Sequence, residues 1–152
     1  MVGKKKIAML VSTLMVGSIF VGCKDNGQAS ADVKEKYNIG ISQLIQHPAL
    51  DSAKEGFIEG LKEKGYEEGQ NIEIDYQNAQ GDNATSQTIA QKFVSEKKDL
   101  ILAIATNSAQ AVYNATKDIP VVFTAVTDPI SAGIAKDWKS SGTNLTGVSD
   151  MV

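Results

Sequence analysis

Arginine is missing altogether, and cysteine and histidine occur once each, at Cys23 and His47. A single cysteine rules out an internal disulfide and any cysteine-rich zinc site. A single histidine leaves almost no material for a histidine metal cluster or a Ser-His-Asp triad. There is no G-x-S-x-G nucleophile elbow either, since Gly147-Val148-Ser149 runs on into Asp150 and Met151. Walker A and G-x-G-x-x-G are absent, so nucleotide phosphates have no cradle. The expectation is a non-enzymatic chain without a cofactor. Positive charge is also scarce, with 15 lysines against 18 acidic residues and a net charge of −3. Without a basic stripe for phosphate contacts, nucleic-acid binding has no footing.

Long apolar runs are lacking too, with one instructive exception. Lys4, Lys5 and Lys6 precede an uncharged, mostly apolar run of 15 residues from Ile7 to Val21. That is short of the roughly 20 residues that cross a bilayer as a helix. Basic, apolar and small residues in that order make a secretory signal. Its end, Phe20-Val21-Gly22-Cys23, resembles a bacterial lipobox, with Phe20 where leucine is usual. The resemblance implies cleavage before Cys23, acylation of its thiol (palmitate) and tethering on the extracytoplasmic side of the cell membrane. Residues 1–22 are then a lipoprotein signal peptide. The chain left after cleavage carries 12 lysines and 18 acidic residues, a net charge of −6, and has the length of one compact domain.

Residues 23–36 are polar and lack apolar periodicity, which predicts a flexible tether. From there strand-like and helix-like blocks alternate. Tyr37 to Ile45 reads as a first strand. Leu50, Ala53, Phe57 and Leu61 form one stripe of an amphipathic helix over Ala49 to Lys64, closed by Gly65 as a left-handed cap. Ile72, Ile74 and Tyr76 alternate with Glu73 and Asp75, as in a strand near a sheet edge. Asn83 or Thr85 is expected to cap a helix running to about Lys97, and Lys97-Lys98-Asp99 reads as a solvated helix end. Leu100 to Ala105 and Pro120 to Val126 are apolar enough for strands buried on both faces. A helix through Thr116 lies between them, Thr127-Asp128-Pro129 opens a further helical turn, and Asn144 to Val148 is a last short strand. The pattern predicts an α/β fold, a doubly wound parallel sheet with strand order 2-1-3-4-5.

In such a sheet, ligands bind at the carboxyl ends of the strands. The residues expected there are hydroxyls, amides, one carboxylate and free helix amides, suited to binding a small polar molecule. Thr106, Asn107 and Ser108 have two readings, as caps of their own helix or as an amide cluster facing a ligand carboxylate. Asp128 likewise caps its turn or faces a ligand ammonium, and can do both. His47 caps or shields the first helix. Phe123 and Tyr113 read as core aromatics.

The segments GISQLIQHPALD (Gly40 to Asp51), GFIEGLKEKGY (Gly56 to Tyr66), NAQGD (Asn78 to Asp82), LAIATNSAQA (Leu102 to Ala111), PVVFTAVTDP (Pro120 to Pro129) and NLTGVSD (Asn144 to Asp150) closely resemble one family. It is the lipoprotein substrate-binding component of ABC importers, of the tryptophan/tyrosine-type group. The resemblance implies a type I periplasmic-binding-protein-like lobe over residues 37–152, the N-terminal one of two, with the second missing. It implies ligand contacts at Gln43, Thr106, Asn107, Ser108, Thr127 and Asp128. It further implies an aromatic amino acid or related ligand, and ABC permease and ATPase subunits as partners. A lobe alone leaves one side of its ligand wet, so weak binding is expected of it.

Overall fold

The computed structural model describes residues 36–150. The expected signal peptide, Cys23 and all but the last residue of the expected tether lie outside the described residues. Five strands, β1 (Tyr37–Gln43), β2 (Ile72–Asn78), β3 (Leu100–Ile104), β4 (Val121–Val126) and β5 (Leu145–Ser149), form one sheet. Its order is β2-β1-β3-β4-β5, and every pairing is parallel. Three helices join them: α1 (Pro48–Glu63), α2 (Asn83–Ser95) and α3 (Thr106–Ala115). The expected class and strand order are thus both found. Among the described residues no helix is long and apolar enough to cross a membrane.

Side-chain alternation on the strands sorts the core into two layers. Ile39, Ile41, Ile72, Leu102 and Ile104 face α1 and meet Leu50, Phe57, Ile58 and Leu61. Ile101, Ala103, Val121, Phe123 and Leu145 face the other way, onto Ile89, Ala90 and Phe93 of α2 and Ala109 and Val112 of α3. Each large side chain fully removed from water there contributes about 1.5–3 kcal/mol. The two layers differ in depth, since no residue of α1 is fully buried whereas α2 and α3 each bury four.

Helix ends follow local chemistry. His47 caps α1, its Nδ1 accepting from the Ala49 amide at 3.2 Å, with Pro48 next. At the other end Gly65 takes φ +84°, which lets its amide reach Lys62 O and that of Tyr66 reach Leu61 O, both at 2.9 Å. The α2 cap is Asp82, whose Oδ1 accepts from the Thr85 amide at 2.6 Å, so Asn83 and Thr85 lie inside the helix rather than capping it. Leu44 and Ile45 leave the sheet after Gln43, because the chain must turn there to start α1 at Pro48.

Lys98 and Asp99 also correct the sequence reading, since they are not a solvated end. Lys98 Nζ lies 3.3 Å from Asp75 Oδ2 and 3.0 Å from Glu96 Oε2, with its side chain only 12% exposed. Asp99 Oδ2 accepts the Asn38 amide at 2.7 Å, which fixes the start of β1.

Candidate functional site at the strand carboxyl ends

Parallel register brings the carboxyl ends of all five strands to one edge. Gln43 stands opposite Asn78 on one side and Ile104 on the other. Leu44 N donates to Ile104 O and Ala105 N to Thr124 O, so β1, β3 and β4 end together. At β4 the edge is re-aimed by a bulge. Phe123 pairs with Gly147 and Val126 with Ser149, leaving one more residue on β4 than on β5, and Ala125 sits at φ +53°. Ser149 Oγ then donates to Thr127 O at 2.6 Å, tying the ends of β4 and β5.

The six expected contact residues therefore share this edge, but they present themselves differently. Ala105 enters α3 at φ 79°, ψ 156°, and no side chain caps that helix. Thr106, Asn107 and Ser108 form its first turn and are not its caps, so their amides carry the positive end of the helix dipole without an internal acceptor. Asn107 Nδ2 donates to Asn83 Oδ1 at 2.7 Å, which joins the starts of α2 and α3. Ser108 is fully buried, and its Oγ has no partner.

Gln43 is also fully buried. Its Nε2 donates to Ile45 O at 2.9 Å and to Asp51 Oδ1 at 2.8 Å, while Oε1 has no partner. The amide thus lies beneath the 44–47 loop. Thr127 is exposed just past β4. Asp128 caps the following turn, with Oδ1 accepting from the Ile130 and Ser131 amides and Oδ2 from Ser131 Oγ. The Ser131 hydroxyl and amide hold its carboxyl below the ordinary range, so Asp128 is an anion on this edge. Residues 129–133 make one hydrogen-bonded turn that does not lengthen into a helix.

Sequence reasoning missed four residues at or beside this edge. Asp51 orients Gln43 from the first turn of α1, eight residues away, a pairing no local pattern announces. Tyr76 and Lys54, with Nζ 4.4 Å from the ring centre, stand beside the edge in a cavity of about 420 Å³ with Gln46, Asn78 and Gln80. Ala105 and its positive φ had no signal at all, since glycine is the residue expected in that conformation. Among the described residues no group of His, Cys, Asp or Glu could hold a metal ion.

The lobe is a doubly wound parallel sheet with polar groups and an open helix start on its carboxyl edge. The family model for ABC transporter substrate binding proteins matches residues 38–152, and the chain belongs to that family, a binding rather than an enzymatic class. The tyrosine-binding protein of Clostridioides difficile (strain R20291) is 54% identical over 158 residues, covering 99% of this chain and 46% of that protein. The ligand-free, open structure of a substrate-binding protein with adhesive properties from Clostridium difficile superposes with a TM-score of 0.75 at 56% identity, over 76% of this chain and 39% of that one. The ABC domain of Streptococcus pneumoniae in complex with L-Trp gives 0.74 at 42% identity, over 77% and 39%. The chain therefore spans less than half the length of these relatives. More distant periplasmic binding proteins share the fold alone.

Proposed function

We propose that this chain supplies the N-terminal lobe of the solute-binding component of an ABC importer. It binds a small zwitterion, an aromatic amino acid or a close relative, and hands it to a membrane permease driven by ATPase subunits. The observation that carries the reading is a juxtaposition on one edge, the uncapped start of α3 at the end of β3 and the anionic Asp128 beyond the neighbouring β4. The first suits a carboxylate and the second an ammonium, the two charges every amino acid carries. The relatives' names, tyrosine-binding and L-Trp-bound, favour an aromatic side chain. Residues expected to touch the ligand are Thr106, Asn107, Ser108, Thr127 and Asp128, with Gln43 beneath them.

Water exclusion sets the affinity. A helix start contributes about 0.3–1 kcal/mol to an exposed anion and more to a partly buried one. A single lobe leaves its guest half wet, so a second lobe must close over the same edge for tight binding. In a two-lobe protein carrying residues 36–150, Asp128→Asn should weaken L-tyrosine or L-tryptophan binding about 10-fold or more by calorimetry. An unchanged affinity contradicts the assignment of Asp128. For the anchor, intact-mass analysis of the cell-made protein should find Cys23 at the N-terminus and acylated, and an uncut chain with a free thiol refutes the tether.

A further inference from the structure

The cavity beside the strand ends, about 420 Å³ between the first two turns of α1 and the end of β2, has no aliphatic wall. Gln46, Lys54, Glu55, Tyr76, Asn78 and Gln80 line it, and every lining residue carries a polar atom in its side chain. Its size falls within the ~300–1,000 Å³ of small-molecule sites. Tyr76 supplies the one aromatic ring, with Lys54 Nζ 4.4 Å from its centre. The end at β2 is built rather than loose. Gln80 stands at φ +57°, a conformation that a residue with a side chain keeps only when its surroundings hold it. Its amide donates to Asn78 Oδ1 at 2.7 Å. The Ala79 and Gly81 amides on either side donate to Gln43 O and Leu44 O at 2.9 and 2.8 Å. Asn78 Nδ2 also donates to Tyr76 Oη at 3.2 Å, which leaves one of its two N–H groups for a guest.

Register connects this cavity with the ligand edge. Asn78 and Ile104 flank Gln43 at the same level of the sheet. Two strand spacings, about 10 Å, therefore separate the end of β2 from the end of β3, where α3 starts. A zwitterion with its carboxylate at α3 and its ammonium toward Asp128, beyond β4, has its side chain directed the other way, over β1 toward β2. We infer that the end of β2 reads the tip of that side chain, with Asn78 and Gln80 as specificity-determining residues that select a phenol-bearing amino acid, tyrosine, over phenylalanine. The inference rests on the zwitterion reading of the edge. A phenol hydroxyl is donor and acceptor at once, so it can accept from Asn78 Nδ2 and donate to Gln80 Oε1. A bare phenyl ring strips water from the same amides and returns no hydrogen bond. That is how a polar site rejects an analogue lacking the hydroxyl.

Calorimetry on a two-lobe protein carrying residues 36–150 tests this. L-tyrosine should bind at least ~10-fold tighter than L-phenylalanine. Asn78→Leu should bring the two within about 3-fold by weakening tyrosine alone. Gln80→Ala, at an exposed position outside the core, should narrow the ratio in the same direction, and it carries the test if Asn78→Leu does not fold. Asp128→Asn should weaken both amino acids alike and leave their ratio unchanged, since it acts on the ammonium they share. Equal binding of the two by the unmodified site overturns this inference and leaves the zwitterion reading standing. A ratio that neither Asn78→Leu nor Gln80→Ala moves overturns it as well. Binding of neither amino acid overturns both.

Discussion

Gln43 Nε2 and Asp51 Oδ1 lie 2.8 Å apart, a buried amide at the end of β1 held by the first turn of α1. The bond fixes which way the amide faces. With both N–H groups engaged, by Asp51 and by Ile45 O, the oxygen is turned away as an acceptor. Asp51→Ala leaves a buried donor with nothing charged to meet. It should lower unfolding stability by about 1–3 kcal/mol, measured by urea denaturation. A change below about 0.5 kcal/mol would mean the contact is not maintained in solution.

Acid should weaken the fold through Asp75. Partial burial opposes its charge, but hydrogen bonds from Lys92, Gln77 and Lys98 outweigh that and bring its pKa from 3.8 to about 2. A depressed carboxyl contributes stability above its unfolded pKa and loses it as pH falls through the folded value. The loss should therefore fall between about pH 4 and pH 2. Lys92 is partly in water, so screening trims the contribution to about 1 kcal/mol. Asp75→Asn should melt below wild type at neutral pH, and the gap should close by about pH 2. A gap that persists in acid would assign the effect to packing instead.

Gly40 has no room for a side chain. A Cβ there would stand 2.7 Å from the Phe93 ring, in the layer where α2 meets the sheet. Gly40→Ala should cost about 1–3 kcal/mol by overpacking. Combined with Phe93→Leu it should cost less than the sum of the two, since the ring is the obstacle. Strict additivity in denaturation would place the strain elsewhere.

Much of this was readable beforehand, and the exceptions share a cause. The wet–dry alternation of Ile72, Glu73 and Ile74 put β2 at an edge, and the apolar runs put β3 and β4 inside. The stripe of Leu50, Phe57 and Leu61 gave α1 its packing face. What failed was whatever depends on a neighbour distant in sequence. Lys98 looked solvated until β2 brought Asp75 beside it, and Asp99 until β1 brought the Asn38 amide. At the site, the expected residues lie along one edge, but burial separates how they present themselves. Gln43 and Ser108 sit below the surface, and Thr106 to Ser108 do not cap their helix because Ala105 holds the cap position in a conformation nothing in its side chain suggests.

That conformation gives a further test. A residue with a Cβ at φ 79°, ψ 156° stores about 1–3 kcal/mol of strain. Glycine relieves it and costs about 0.5–1 kcal/mol in unfolded-chain entropy. Ala105→Gly should therefore stabilise the lobe by up to about 2 kcal/mol, raising its melting temperature in calorimetry. A lower melting temperature would show that the junction is unstrained.

The most direct test is a calorimetric titration of L-tyrosine and L-tryptophan into two proteins. One is this chain alone, and the other joins residues 36–150 to the remainder of the Clostridioides difficile relative. The joined protein should bind at least one of the two with a dissociation constant on the order of micromolar or tighter, and the single lobe about 100-fold more weakly or not measurably. Equal micromolar binding by the lobe alone, or none by the joined protein, contradicts a half-site that works by closure.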